Sequence, residues 1–449
     1  MIAWSGDNLA PRDRHQLSRL LLDHLGCAYR GACLPWGRSM IRWALPMGAA
    51  KGAGLFASEY YAAPSIAAFV NATAAHGLEL DDTHDESVSH PGAAVIASTL
   101  ALAQVHGAAP GALFTAIAAG YEVTGRLGAA TNAARAIERG FHPTALFTGF
   151  GATTAAAKLL GLSGRQLARA WGLMLSMAGG SMQFSQEPEG TTVKRLHGGY
   201  AALHGVIAAE HVALGIEGPE EALAGRYGLA ANFGADQDFE RLASPHPEGP
   251  EIHRVSFKPY PCCRLFHSTL DALAEVTDGL TLPIEEIGLL RVGGPDILVT
   301  QHMLRRPNSE MAAQYSLPFT LGAALVYGPE SVDGFMEASL RDPRILAIAD
   351  RVEAEACTVM QAAFPRHFGS WVELCLRSGE KRRAEVLDSV GTPTRPMTDE
   401  DLCRKFDRLV QPTGLGVTGD ALLEALADDR CRGQADMHWL TPFLSPQRP

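Results

Sequence analysis

The chain lacks the cysteine spacing of a metal or cluster protein: its eight cysteines include no C-x-x-C pair and no group at zinc or iron–sulfur intervals. Cys262 and Cys263 are adjacent, which suits neither one tetrahedral metal nor an unstrained disulfide. In a chain of 449 residues this pattern reads as reduced thiols in a cytosol, with Cys27 on an apolar helical face as core. Long hydrophobic runs are missing as well. No stretch of about 18 residues stays apolar without a His, a charge, a Pro or a Gly, so no membrane span is expected. The alanine-rich region 93–119 comes closest and is split by His106, Gly107 and Pro110. The N-terminus has no basic segment leading into an apolar run and a small-residue cleavage site, so a signal peptide is not expected and a cytoplasmic location is. Charge is scarce, at 19%, and its balance of −11 argues against nucleic acid or an anionic membrane as partner. A small anionic substrate in a local basic pocket stays open. There is no G-x-S-x-G elbow, no P-loop and no G-x-G-x-x-G after a strand.

What is present is a large apolar interior. Hydrophobic residues make up 47% of the chain, and its length suits two or three domains at roughly 150 residues each. From about residue 13 to 235 the pattern is helical and rich in small residues. Leu17, Leu20, Leu21 and Leu25 recur at helical spacing, with Gly26 expected to end that element. Pro64, Pro91 and Pro110 open further helices, and others are predicted over 145–160, 166–177 and 201–214. Near Val255 the character changes. A strand is predicted over 284–292, helices at 264–276 and 316–327, and a β-hairpin from Trp371–Arg377 into Ala384–Leu387. A loop with Pro393 and Pro396 follows, then a capping-type helix start at Thr398. This gives three parts: a helical block over 1–255, a smaller α+β block over 256–392, and C-terminal helices over 393–449 that pack back on the first.

Four segments carry chemistry. The first runs from Glu79 to His90, where Asp81, Asp82, Thr83, His84, Asp85 and Glu86 lie between two apolar helices. His90 precedes Pro91, so its backbone is pushed toward an extended form just ahead of a helix N-terminus, which can hold an anion. A solvated acidic loop with a cap is the alternative. The second is Phe141-His142-Pro143-Thr144, another His-Pro helix start. The third is Lys194-Arg195-Leu196-His197-Gly198-Gly199, two cations and an imidazole beside paired glycines, a composition suited to a carboxylate or to an exposed basic turn. The fourth is Lys258-Pro-Tyr-Pro-Cys-Cys-Arg264 with His267, at the expected domain boundary, where ligand clefts are common.

In this order the four segments resemble the MmgE/PrpD family, whose activities include 2-methylcitrate dehydratase, cis-aconitate decarboxylase and iminodisuccinate epimerase. The resemblance runs over nearly the whole chain. It implies a mainly α fold: a large all-helical domain, built from the N-terminal part and the C-terminal tail, with a smaller α+β lid domain. It also implies a homodimer that needs no metal and no cofactor and takes a small anionic carboxylate. Carried over by position, His90 and His142 are pocket histidines, Thr83 a hydrogen-bonding neighbour, and Lys194 and Lys258 carboxylate-holding cations. Glu79 stands where the family's decarboxylase has Asp, one methylene shorter, and catalysis tolerates shifts of about 1 Å poorly. A lid tyrosine corresponds to Tyr315, with Phe319 the other register. Asp82, His197 and Arg264 complete the expected binding set, while Asp85 and Glu86 are expected on the solvent side. The expected chemistry is dehydration of a hydroxylated polycarboxylate such as 2-methylcitrate, with His90 or His142 moving the proton and Lys194 and Lys258 neutralising charge. An epimerase or decarboxylase on a related acid is the alternative; a non-catalytic carboxylate-binding protein is the alternative of another class.

Overall fold

The computed structural model describes residues 9–187, 190–234, 239–244, 246–280, 283–427 and 440–444; Cys431 lies outside them. Proline sets the helical grid. It occupies the first turn of α1 (Pro11–Cys33), α2 (Pro35–Ala44), α3 (Pro64–His76), α4 (Pro91–His106) and α5 (Pro110–Ala130). After the short α6 (Ala133–Glu138), it does so again in α7 (Pro143–Leu159). There the missing N–H costs nothing and the fixed φ suits a helix. A capping box of Ser163 and Gln166 opens α8 (Gly164–Met177), and α9 (Val193–Ala213) follows.

Gly26 does not end the first helix. A Cβ added there would lie 3.1 Å from Phe406 Cδ2, so the glycine makes room for a neighbour inside a helix that runs on to Cys33. Helix α2 and the antiparallel pair β1 (Gly48–Gly54) and β2 (Tyr61–Ala62) were not foreseen by the sequence reading. The paired glycines after His197 also serve packing. A Cβ on Gly199 would stand 2.2 Å from Thr73 Oγ1, so α9 and α3 can meet at this distance only with glycine there. The core of this block includes Leu17, Leu20, Leu21 and Leu25 of α1 together with Leu402, Phe406 and Val410. The latter three lie on the helix Asp399–Val410, which opens with a capping box of Thr398 and Asp401.

A separate apolar cluster gathers residues 260–386. Its sheet has the order β6-β5-β7-β8, with β5 (Ile287–Gly294) parallel to β6 (Val352–Ala356) and antiparallel to β7 (Ser370–Leu376), which forms a hairpin with β8 (Lys381–Val386). Val372 and Leu374 face Val292 and Leu290 in register, and all four are fully buried beside the helices His267–Thr277 and Leu317–Tyr327. The chain is mainly α with this small α+β part. Among the described residues no helix is long and apolar enough to cross a membrane.

Between the two parts, β3 (Thr83–His84) pairs antiparallel with β4 (Val255–Ser256). This pairing ties the acid- and histidine-rich loop to the chain just before it enters the α+β part.

Candidate active site

The loop after α3 is not a solvated acidic turn. Leu78 and Leu80 are fully buried, and so, nearly, are Glu79, Asp81 and Asp82. Its backbone is gripped from both sides: Gln314 Nε2 donates to the Leu78 carbonyl (2.9 Å) and Lys405 Nζ to the Leu80 carbonyl (2.7 Å). Gln314 also donates to the Pro261 carbonyl at 2.9 Å, which joins the loop to the α+β part. Lys405 is itself paired with the buried carboxylate of Asp23. Between these anchors Glu79 takes a left-handed conformation with φ of 56°, unusual for a residue with a Cβ and sustained only by surrounding contacts.

Glu79 is the hub of the pocket. Lys194 Nζ donates to Oε1, the Tyr315 hydroxyl donates to Oε2 at 3.2 Å, and Lys258 Nζ lies 3.7 Å from Oε2. Burial alone would push the Glu79 carboxyl up, yet Lys194 and Lys258 outweigh it and hold the group well below the usual carboxylate range. Lys194 also sits 5.3 Å above the Tyr315 ring. Phe319, the other register, is buried in the core of the α+β part. Lys258 is fully buried, and its ammonium makes no hydrogen bond among the described residues.

Beside this hub lie four imidazoles. His76, at the end of α3, stands edge-on to His90 with ring centroids 5.0 Å apart and 6.2 Å from His142. His142 and His197 face each other through their Nδ1 atoms at 2.9 Å, so one of the two carries the hydrogen and the other accepts it. Phe184 packs against both rings. Burial lowers the basicity of His90 to about 3 and of His197 to about 4, and that of His142 well below its ordinary value. Asp81 bridges His76 and His90, its Oδ2 2.7 Å from His76 Nδ1 and its Oδ1 3.5 Å from His90 Nδ1. Burial would raise Asp81, but His90, His76 and Lys258 bring it to about 2. His76, Asp81 and His90 bring one polar atom each within 4.8 Å of the others, and among the described residues no other such His/Cys/carboxylate group occurs; both Nδ1 atoms are already engaged, His76 with Asp81 Oδ2 and His90 with the Asp82 carbonyl, so the cluster is a hydrogen-bonded network.

The structure thus brings together Glu79, His90, His142, Lys194, His197, Lys258 and Tyr315. Other expected site residues turn elsewhere. Asp82 accepts from the Gly92 N–H at 3.0 Å and from the Tyr121 hydroxyl at 2.6 Å, so its carboxyl occupies the N-terminus of α4 that the sequence offered to a substrate anion. Burial, reinforced by Asp81, raises the Asp82 carboxyl to about 8 despite those donors. Arg264 donates to Ser389 Oγ at 2.9 Å and pairs with Asp85 at 3.4 Å, away from Glu79. Asp85 and Glu86 are partly exposed and engaged in polar contacts: Asp85 also accepts from Ser256 at 2.9 Å, and Glu86 pairs with Arg254 at 2.6 Å. His84 is held between Ser87 and Glu251. Thr83 is buried, and its hydroxyl has no hydrogen-bond partner among the described residues. His76 was missed as a site residue because a histidine before a glycine reads as the end of a helix. Its only sequence signal was its nearness to Glu79.

Comparison with known proteins gives a consistent result. The model of the MmgE/PrpD N-terminal domain matches residues 5–242, and that of the MmgE/PrpD C-terminal domain matches 260–422. The chain is 28% identical to a cis-aconitate decarboxylase of Mus musculus over 408 residues, 86% of this chain and 80% of that protein. It is 30% identical to the cis-aconitate decarboxylase of Homo sapiens over 76% of this chain and 72% of that one. A cis-aconitate decarboxylase of Aspergillus terreus is 25% identical over 87% and 83%.

Proposed function

The chain belongs to the MmgE/PrpD family, and on that footing we propose that it is a lyase acting on a small polycarboxylate, with loss of CO2 from a cis-aconitate-like acid as the first reading. The observation that carries it is the pairing of two buried lysines, from α9 and from the domain crossing, with the single carboxylate of Glu79. Two ammonium groups on one carboxylate leave cationic capacity for an incoming acid. The named relatives, all cis-aconitate decarboxylases, favour carbon–carbon cleavage over the dehydration expected from the sequence.

In this reading Lys194 and Lys258 hold substrate carboxylates, and the α+β part acts as the lid that keeps water out. The bond to the departing carboxylate breaks, and its electron pair moves through the adjacent double bond to the carbon that receives a proton. One CO2 leaves and one proton enters. The histidines are poor bases in the empty pocket because they are buried, but a bound polyanion raises their basicity and lets His90 or His142 carry that proton. Tyr315 and Thr83 complete the contacts. A second reading, dehydration of a 2-methylcitrate-like acid, is supported by Glu79 standing one methylene longer than the Asp of the family's decarboxylase.

The test is NMR in D2O with cis-aconitate, citrate, 2-methylcitrate and iminodisuccinate. CO2 loss with one deuteron in the product supports the first reading, and alkene formation from a hydroxy acid supports the second. Deuterium entering recovered iminodisuccinate indicates an epimerase, and binding without turnover a carboxylate-binding protein. His90→Ala and Lys194→Ala should each lower turnover by at least about tenfold; smaller losses in both overturn the residue roles.

A further inference from the structure

We propose that Asp81 and His76 form a positioning pair for His90: the Asp81 carboxylate is the counter-ion of the imidazolium form of His90, the form that delivers the proton to the product carbon, and His76 holds that carboxylate in place. The proposal rests on the reading of His90 as a proton-transfer group.

The hydrogen positions follow from what each partner can accept. His90 Nδ1 lies 2.9 Å from the carbonyl oxygen of Asp82, which can only accept. The Nδ1 atom therefore carries a hydrogen, and Nε2 presents the lone pair that takes a proton. An ionised carboxylate likewise only accepts, so the 2.7 Å contact of His76 Nδ1 with Asp81 Oδ2 places a hydrogen on that nitrogen. Asp81 Oδ1 makes no hydrogen bond among the described residues and lies 3.5 Å from the Nδ1 edge of His90. The His90 backbone is fixed as well, its N–H donating to Thr144 Oγ1 at 3.2 Å. When Nε2 gains a proton, positive charge spreads over a ring whose far edge faces Asp81.

The other charged groups make this counter-ion necessary. Lys194 and Lys258 act on His90 from α9 and from the domain crossing, His76 from α3, and His142 lies beyond His76. The two lysine ammonium groups oppose positive charge on the His90 ring. Glu79 is shared by the two lysines, and the carboxyl of Asp82 is bound to Tyr121 and Gly92. Asp81 is thus the carboxylate that directly faces the His90 ring.

Asp81→Asn tests the idea, because it keeps the shape and removes the charge. Turnover should fall by about 10- to 100-fold while KM changes less than about threefold. The limb of the pH–rate profile that belongs to His90, identified by its loss in His90→Asn, should move to lower pH by about one to three units. His76→Ala should shift the same limb, and His76→Asn, which restores an N–H toward Asp81, should recover part of the wild-type profile. An unshifted limb in both Asp81→Asn and His76→Ala overturns the proposal. If the wild-type protein turns over none of the acids, the proposed function fails but this inference is still decided by ¹⁵N-histidine NMR with propane-1,2,3-tricarboxylate bound. The His90 ring should then titrate at lower pH in Asp81→Asn, and equal midpoints in both proteins overturn the pairing.

Discussion

Lys405 and Lys258 are buried to almost the same extent and reach neighbouring residues of one loop, yet their surroundings treat them differently. Lys405 has one carboxylate, Asp23, as its hydrogen-bonded partner and a carbonyl besides, so its charge and two of its three donors are matched within the fold. Lys258 stands at the edge of a carboxylate already bonded to Lys194 and makes no hydrogen bond of its own among the described residues. Burial alone therefore does not mark a functional lysine. On the proposed function, what separates the two is that the protein completes the pairing of Lys405 and leaves that of Lys258 to a bound acid.

That contrast can be broken from either end. Lys405→Met strands the Asp23 carboxylate and should cost about 3–5 kcal/mol in chemical denaturation. Adding Asp23→Leu should recover most of the loss, since a well-packed apolar pair can replace a buried ion pair. Lys258→Met should do the reverse, lowering kcat/KM by about 100- to 1,000-fold with little change in Tm. A large drop in Tm with Lys258→Met, or none with Lys405→Met, erases the distinction.

Next to Asp23, His24 offers a smaller test of the same neighbourhood. Burial lowers its basicity to about 4, and neither ring nitrogen has a hydrogen-bond partner among the described residues. The unfolded chain binds that proton near pH 6.5, whereas the folded chain binds it only near 4. The contribution to stability is therefore fully present above about pH 6.5 and is lost as the pH falls toward 4. His24→Leu should narrow the stability difference between pH 7 and pH 5 by about 2 kcal/mol. An unchanged pH dependence would show that His24 is not proton-linked. The smallest effect is expected for Asp82→Asn. Its partners can be kept by an amide, so stability should change by less than about 1 kcal/mol and turnover hardly at all.

The sequence made legible what depends on local pattern. Prolines marked the starts of α3, α4 and α5, and the alternation of Val372, Leu374 and Leu376 marked a strand, because these signals lie within a few residues of the structure they set. The β1–β2 pair was invisible because Gly-Ala-Ala-Lys-Gly-Ala-Gly carries no apolar alternation. The histidines before Pro91 and Pro143 and the lysines of the third and fourth segments were readable as candidates, and the family resemblance gave them roles. Lys405 was not readable: it stands in a strongly charged helix, and its carboxylate partner lies 382 residues away. Asp82 and Asp81 are neighbours of the same type, and only their three-dimensional partners separate a helix cap from a group between two imidazoles.

Lys405 also has a consequence in time. A ribosome that has reached residue 258 has already made Glu79, the two lysines that share it and all four histidines. It has yet to make the side chain that holds the Leu80 carbonyl, which lies 325 residues further along the chain than Leu80. The nascent polypeptide therefore carries the parts of a pocket whose central loop is still unfastened. The Leu80 carbonyl can gain this partner only once the helix Asp399–Val410 has been made.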